Sequence, residues 1–250
     1  MDKENSVIAE GGERIAGFKE RLENFWYHYK WHTLVSVVVV ILFTMLILQT
    51  CSRAGYDVHV LYAGSHRFAR TSPDGDLPPY NAVVKTLGKF TKDYDGDGTK
   101  SVDLRDLYVM TSEEISDLLA ENPEAEINQS LIIEDSDTLA SSLIYSEYFL
   151  IFISDDLFRG YEAKYESALF EPIKQYTDIA SGIEYEYASD YGIYLRSLPF
   201  YEEPEICKLP DDTVVCVRKL SEVSSTFDKD TNTVQHERAV EMLRSILADK

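Results

Sequence analysis

The feature that most constrains this chain is an uncharged apolar run near its N-terminus. Residues 33–48 read TLVSVVVVILFTMLIL, and Gln49, Thr50 and Cys51 extend the run without adding a charge. A helix needs roughly 17–25 residues to cross the hydrocarbon core of a bilayer. A helix of this length that is apolar on every side is rare in a soluble protein. The run therefore predicts a transmembrane helix over residues 33–51.

The residues that flank this run predict its orientation. The preceding segment FWYHYKWH contains both tryptophans of the chain, and such rings favour the headgroup region of a membrane. Lys19, Arg21 and Lys30 lie just upstream of the run, whereas Arg53 alone lies as close downstream. The positive-inside rule then places the N-terminus in the cytoplasm and the C-terminal part of the chain outside the cell.

The span divides the chain into four predicted parts. They are a cytoplasmic tail with an interfacial amphipathic helix over residues 1–32, the transmembrane helix over 33–51, a linker over 52–55 and one extracellular domain over 56–250. A cleaved signal peptide explains the run less well, because its apolar region usually has about 7–15 residues. The segment LQTC at residues 48–51 resembles a bacterial lipobox, which leaves lipidation of Cys51 as an alternative.

Acidic charge is concentrated in the predicted extracellular part. The formal net charge of the chain is −20, and residues 51–250 carry 38 Asp or Glu but only 19 Lys or Arg. Such a surface repels nucleic acids and anionic headgroups. We therefore exclude nucleic acid as a partner. The expected partners are the lipid bilayer around the span, and either a small solute or another membrane protein.

The extracellular part shows alternating strand and helix patterns. The strand patterns lie at residues 56–64, 101–110, 148–154, 191–198 and 212–220. Helical patterns begin at Pro79 and at the capping box of Thr111 and Glu114, and the last one covers residues 232–248. Strands that alternate with helices are typical of βαβ units. The order predicts one α/β domain with a mainly parallel sheet.

An Asp-rich loop, DYDGDGTKSVD at residues 93–103, predicts a calcium site. Calcium prefers several oxygen ligands at flexible angles, and alternating Asp residues before a Gly supply them in a tight turn. Leu104 stands where an EF-hand requires a chelating Glu, so this loop is not an EF-hand. The alternative is a solvated acidic turn. The predicted ligands are Asp93, Asp95, Asp97, the Thr99 carbonyl and Asp103, with Asp106 in reserve.

A ligand crevice is predicted at the opposite end of the sheet from this loop. In parallel sheets ligands bind beyond the carboxyl ends of the strands, whereas the Asp-rich loop leads into the start of one. The predicted ion is therefore structural. The alternative for the crevice is that Thr111 and Asp155 only cap helices. The residues that follow the three parallel strands are Ser65, His66, Arg67, Thr111, Ser112, Asp155 and Asp156.

Two cysteines in the extracellular part leave two alternatives open. If Asp211 and Asp212 form a two-residue turn, Cys207 and Cys216 lie opposite each other in a hairpin, at a separation that suits a disulfide. Disulfides persist outside the cell. Alternatively, Pro210 loosens the hairpin and Cys216 is a buried thiol in the core.

Two segments carry a resemblance to known proteins. NFWYHYKWHT, residues 24–33, together with DYDGDGTKSVDL, residues 93–104, resembles uncharacterised single-pass membrane proteins of clostridia-like Gram-positive bacteria. Residues 127–158 are similar to the helix-then-strand segment of extracellular solute-binding proteins. The first resemblance implies a bacterial cell-membrane protein and carries over no activity. The second implies a periplasmic-binding-protein-like fold, here in a reduced form.

No catalytic motif is present in the sequence. The chain has no G-x-S-x-G, no P-loop and no H-E-x-x-H pattern, so we expect a protein that is not an enzyme. Our first hypothesis is a membrane-anchored, calcium-stabilised extracellular domain that binds a small solute or a cell-surface partner. The second is an accessory subunit that acts through its N-terminal helix and span. The third and most distant is an ectoenzyme that uses Asp155 and Asp156.

Overall fold

The computed structural model describes residues 26–27, 29–45, 55–69, 79–165, 168–177, 184–220 and 222–248. Contacts divide the chain into two units, with the boundary between Gly55 and Tyr56. The predicted amphipathic helix before residue 26 and residues 46–51 of the predicted span lie outside the described residues.

The N-terminal unit contains helix α1, which covers residues 29–45. Within its last turns the Thr44 hydroxyl donates a hydrogen bond to the Val40 carbonyl over 2.8 Å. Of the helices in the described ranges, none combines the length and the apolar character that crossing a membrane requires.

Five strands form one sheet in the C-terminal unit. They are β1 (Val58–Gly64), β2 (Val102–Tyr108), β3 (Leu150–Ser154), β4 (Gly192–Tyr194) and β5 (Thr213–Val217). Their order in the sheet is β2-β1-β3-β5-β4. Strand β1 pairs in parallel with both β2 and β3, whereas β5 pairs antiparallel with both β3 and β4. The α/β class is confirmed, and the sheet is mixed: its core is mostly parallel, and the antiparallel pairs are those of β5 with β3 and β4.

The position of β3 follows from its composition. Its sequence LIFIS is buried at every residue, as a near-continuous apolar run in a central strand should be, because both faces of the sheet are covered. On one face Phe152 belongs to a core that includes residues of α7 (Glu222–Leu247) and α2 (Tyr80–Gly88). On the other face Ile153 packs in a core with α4 (Gln129–Tyr145) and α5 (Asp155–Tyr165).

The helix between β2 and α4 begins as the sequence predicts. Helix α3 (Ser112–Glu121) starts at a capping box in which the Glu114 amide donates to the Thr111 hydroxyl over 3.2 Å. In return the Thr111 amide donates to the Glu114 carboxylate over 2.6 Å. The same capping box fixes Thr111 at the end of β2, where it enters the crevice described below. The remaining helix, α6, is a single short turn over Lys174–Thr177.

The prediction of a Cys207–Cys216 disulfide is wrong, because the hairpin on which it depended is not formed. Both cysteines are free. Cys216 lies in β5 between Ile151 of β3 and Gly192 of β4, so both edges of its strand are already paired. The chain before Pro210 instead forms turns, and the exposed Cys207 thiol donates to the Pro204 carbonyl over 3.4 Å. Cys216 is therefore the buried core thiol of the second alternative.

Candidate functional site

The sheet has two chemically different edges. Because β1, β2 and β3 are parallel, the residues that precede them share one edge and the residues that follow them share the other. The Asp-rich loop precedes β2 and so belongs to the amino edge. The predicted crevice residues follow the strands and belong to the carboxyl edge.

The Asp-rich loop is held by hydrogen bonds to its own first carboxylate. The two oxygens of Asp93 accept hydrogen bonds from the amides of Gly96 and Gly98 over 2.7 Å and 2.9 Å. Both glycines have positive φ, 76° and 86°, which is the left-handed region where a side chain is strained. The spacing of Asp and Gly therefore produces a turn that is closed around the Asp93 carboxylate.

Asp57 joins this loop and is the ligand candidate that the sequence analysis missed. Oxygens of Asp57, Asp93 and Asp95 all lie within 4.8 Å of one another, close enough to share one cation. Asp57 is only 1% exposed. It accepts hydrogen bonds from the amides of Tyr94 and Ser101 over 2.6 Å and 2.8 Å. The pairing of β1 with β2 brings together the residues that precede the two strands. Asp57 therefore lies beside the loop and can form these hydrogen bonds.

The other predicted ligands have different positions. One Asp97 oxygen accepts from both the amide and the hydroxyl of Thr99, over 2.7 Å and 2.6 Å, and these bonds hold the pKa of Asp97 below its usual value. Asp97 and Thr99 thus lie in the loop but outside the group of three carboxylates. Asp103 is not in the loop region at all. It lies within β2 and accepts hydrogen bonds from His59 Nδ1 and the Tyr148 hydroxyl over 3.0 Å and 2.6 Å. The carboxylate that completes the group is therefore Asp57 rather than Asp103.

At the carboxyl edge, the predicted crevice residues form two groups. Ser65 and His66 contact each other over 3.5 Å, and the Arg67 guanidinium lies 5.8 Å from the ring centre of Tyr108. None of these three lines the cleft found at this edge, and neither does Ser112. Thr111 and Asp156 do line it together. The cleft has a volume of about 280 Å³ and is lined by Thr111, Asp156, Leu157, Gly160, Tyr161 and Lys164.

Asp155 begins α5 beside this cleft. One of its oxygens accepts a hydrogen bond from Arg159 Nε over 2.7 Å. Its amide donates to the Asp212 carbonyl over 3.1 Å. Asp155 therefore connects the start of α5 to the loop that precedes β5.

Asp212 and Glu114 are carboxylates near Asp156 that the sequence analysis did not assign to this edge, and neither of them lines the cleft. Because β5 is antiparallel, its start lies at the carboxyl edge of the other strands, where Thr213 pairs with Ser154. Burial, followed by the nearby charges of Asp155 and Asp156, raises the pKa of Asp212. Burial also raises the pKa of Glu114, with smaller contributions from the charges of Asp156 and Asp212. Several carboxylates thus interact across this edge. The sequence pattern assigns Asp211 and Asp212 to a hairpin turn and gives no sign of this proximity.

A larger groove of about 510 Å³ lies along α4 and is lined by Arg105 and polar residues of that helix. Its Ser141 and Ser146 hydroxyls donate to the Asp137 and Ser142 carbonyls of the same helix, so these groups are already used locally. The groove also lies away from the ends of the parallel strands. We therefore place the candidate site at the smaller cleft.

No protein-family model matches the chain, and no curated protein and no solved structure is significantly similar to it.

Proposed function

We propose that this protein is a membrane-anchored, non-catalytic extracellular α/β domain that is stabilised by calcium and binds a small solute or a cell-surface partner. The observation that supports this proposal most is the cleft of about 280 Å³ at the carboxyl edge of the sheet. Ligand sites in open α/β sheets occur at this edge.

The composition of the cleft favours a small solute over a large partner. Leu157 and Tyr161 contribute apolar walls, while Thr111, Asp156 and Lys164 contribute polar groups. Mostly apolar pockets with a few polar groups are typical of small-molecule sites, and their volumes begin at about 300 Å³. A solute of amino-acid size fits this volume, whereas a folded partner would contact only its rim.

The membrane anchor is supported by the sequence and by the surface of α1. Its apolar side chains project on all sides, because the consecutive residues Val37, Val38, Val39 and Val40 are 51%, 47%, 55% and 62% exposed. A helix that is apolar all round is stable only where a non-aqueous environment covers it. A lipid bilayer provides that cover. In this proposal the N-terminus is cytoplasmic and residues 56–250 are extracellular, as in the bacterial membrane proteins that the sequence resembles.

Calcium has a structural role in this proposal. Asp57, Asp93 and Asp95 provide carboxylate oxygens of the kind that calcium prefers. An ion held there joins the residue before β1 to the loop before β2. It therefore strengthens the amino edge of the sheet and leaves the cleft at the other edge open for the solute.

A thermal-shift screen of the purified full-length protein against small metabolites tests the solute-binding function. A solute that binds the cleft raises the melting temperature by mass action. The variant Gly160→Leu should abolish that rise, because Gly160 lines the cleft and a Cβ there meets nothing within 4 Å. Ala163→Leu, at an exposed position of the same helix, is the matched control and should keep the rise.

Two outcomes contradict the proposal. One is that no small solute changes the melting temperature of the protein. The other is that Gly160→Leu and Ala163→Leu reduce the response equally, which places the binding elsewhere. Capture of a membrane protein by residues 1–51 alone, together with the first outcome, would favour the accessory-subunit hypothesis.

A further inference from the structure

The cleft at the carboxyl edge is lined by two opposite charges from one helix. Asp156 and Lys164 both line it, and both belong to α5. Among the described residues, its lining contains no other charged side chain. The two residues are separated by about 12 Å along the helix axis, because each residue of a helix adds about 1.5 Å. The lining is therefore balanced in charge, with an anion and a cation toward opposite ends.

Within the described residues, neither of these charges belongs to an ion pair. By contrast, Asp155 and Arg159 of the same helix do pair, over 2.7 Å and at the spacing i,i+4. Lys164 Nζ lies instead 5.0 Å from the ring centre of Tyr165. The charges on the cleft side of α5 are thus available to a ligand.

Gly160 lies midway between the two charges and leaves the space between them open. It is four residues from each of them, at the position that the partner of an i,i+4 ion pair would occupy. A glycine in the interior of a helix is destabilising relative to alanine, and neither backbone conformation nor packing requires one here. Gly160 has no positive φ, and a Cβ added to it meets nothing within 4 Å. A ligand that lies across this position would explain the missing side chain.

The distance between the charges indicates the length of the ligand. A helical side chain leans toward the N-terminus of its helix, so the long Lys164 side chain brings its ammonium group closer to Asp156. One charge-assisted hydrogen bond at each end takes up about 2.8 Å. The remaining space holds a ligand whose own charged groups are about 6 Å apart, slightly less than the reach of two extended residues. Leu157 and Tyr161 provide apolar surface beside the chain that joins these groups.

From these observations we propose that the cleft binds a short zwitterion, a solute with an ammonium group at one end and a carboxylate at the other, such as a dipeptide or an ω-amino acid. Asp156 holds the ammonium group and Lys164 holds the carboxylate. The chain between them lies over Gly160 and against Leu157 and Tyr161. This inference rests on the proposed function and specifies the chemical class of its solute.

Isothermal titration of the full-length protein at about 150 mM salt tests this class. The zwitterions are 5-aminopentanoate and glycylglycine. The matched probes of the same chain length are the cation pentylamine, the anion pentanoate and the neutral pentanamide. We expect 5-aminopentanoate to bind at least about tenfold more tightly than pentylamine or pentanoate, because each of these lacks one of the two charge-assisted contacts.

Variants at the two charges test where the ligand lies. Asp156→Asn and Lys164→Met should each weaken the binding of 5-aminopentanoate by about tenfold, because one charge-assisted contact is lost. The controls Asp117→Asn in α3 and Lys85→Met in α2 remove exposed charges outside the cleft. Each control should change the affinity by less than about twofold.

The variant Gly160→Ala separates ligand binding from folding. Alanine stabilises a helix interior relative to glycine, so the melting temperature of the free protein should rise by about 2–4 °C. The added methyl group occupies space that the chain of the ligand needs, and should weaken 5-aminopentanoate by about threefold or more. A glycine that serves only the fold would instead give a lower melting temperature. Unchanged affinity in this variant would contradict the position of the ligand over Gly160.

Three results overturn the inference. If pentylamine, pentanoate or pentanamide binds as tightly as 5-aminopentanoate and Gly160→Leu blocks it, the proposed function remains and the zwitterion is rejected. The same follows if neither zwitterion binds while a solute of another class raises the melting temperature. Equal weakening in Asp117→Asn and Asp156→Asn would show only a diffuse effect of surface charge. If no solute of any class binds, the proposed function itself is contradicted.

Discussion

At the scale of single residues, Arg218 is the most unusual side chain in the core. It is fully buried. Within the described residues, its guanidinium forms hydrogen bonds with backbone carbonyls and not with a carboxylate. Arg218 donates to the carbonyls of Leu143, Ile144, Ser146 and Tyr148, and its guanidinium carbon lies 4.2 Å from the ring centre of Phe149. Burial lowers its pKa to about 10, so it stays charged at neutral pH.

These contacts make Arg218 a cap for the C-terminus of α4. Helix α4 ends at Tyr145, and Ser146 follows it in an extended conformation, without the glycine that commonly terminates a helix. Its last carbonyls therefore need another donor, and they also form the negative end of the helix dipole. A guanidinium with five N–H groups satisfies several carbonyls at once.

We predict that Arg218→Met lowers the free energy of unfolding by about 2–4 kcal/mol, because it leaves buried carbonyls unpaired. Arg218→Lys should lower the free energy of unfolding by a smaller amount, because an ammonium keeps the charge but lacks the planar set of N–H donors of a guanidinium. Lys219→Met, at the exposed neighbouring position, is the control and should cost less than about 0.5 kcal/mol. Urea unfolding followed by circular dichroism measures all three. Equal values for Arg218→Met and Lys219→Met would falsify the capping role.

At the scale of elements, local sequence patterns predict the first half of the domain well. The alternation in β1, the apolar run in β3 and the capping box of α3 each depend on neighbouring residues, and each is found where the sequence places it. The second half is less predictable because β4 and β5 are short and pair antiparallel with distant partners. Local sequence favours a hairpin before Cys216, but the pairing of β5 with β3 and β4 excludes it.

Local sequence patterns also predict only part of each candidate site. Asp93, Asp95 and Asp156 are visible in the sequence because they belong to a motif or follow a strand. Asp57 and Asp212 reach the same two edges only through strand pairing, which no short pattern contains. Sequence reasoning therefore located both edges of the sheet but did not assign Asp57 to the amino edge, nor Asp212 and Glu114 to the carboxyl edge.

We predict that calcium raises the melting temperature of the protein and that Asp57→Asn or Asp95→Asn removes most of that rise. Both carboxylates belong to the group whose oxygens lie within 4.8 Å of one another. Asp97→Asn should keep more of the rise, because its oxygen is already bonded to Thr99. The measurement is the difference in melting temperature with and without calcium within each variant, which cancels the effect of each change on folding. If millimolar calcium does not raise the melting temperature of the wild-type protein, the calcium site is contradicted.

At the scale of the whole molecule, the two edges of the sheet contain different candidate sites. The candidate ion ligands lie at the amino edge and the cleft lies at the carboxyl edge, so the structural ion and the solute that we propose would not compete for the same carboxylates. The predicted orientation in a membrane follows from the positive-inside rule, because three basic residues lie upstream of the predicted span and Arg53 lies downstream of it.

The two cysteines of the domain provide a way to measure that orientation. Cys207 is exposed, whereas Cys216 is fully buried, and burial raises the pKa of the Cys216 thiol. A thiol reacts as its thiolate and only where a reagent reaches it. In the folded protein, therefore, Cys207 should react with a maleimide and Cys216 should not. The change Cys51→Ser removes the third cysteine of the chain.

We predict that a membrane-impermeant maleimide labels the Cys51→Ser protein on intact cells that produce it. If residues 56–250 are extracellular, Cys207 meets the reagent directly, and lysis before labelling should add little further signal. Cys207→Ser in the same background is the control and should abolish labelling, because only the buried Cys216 then remains. Labelling that appears only after the membrane is permeabilised would reverse the orientation. It would also place the Asp-rich loop in the cytoplasm, where free calcium is scarce and a structural calcium site of ordinary affinity would stay largely empty.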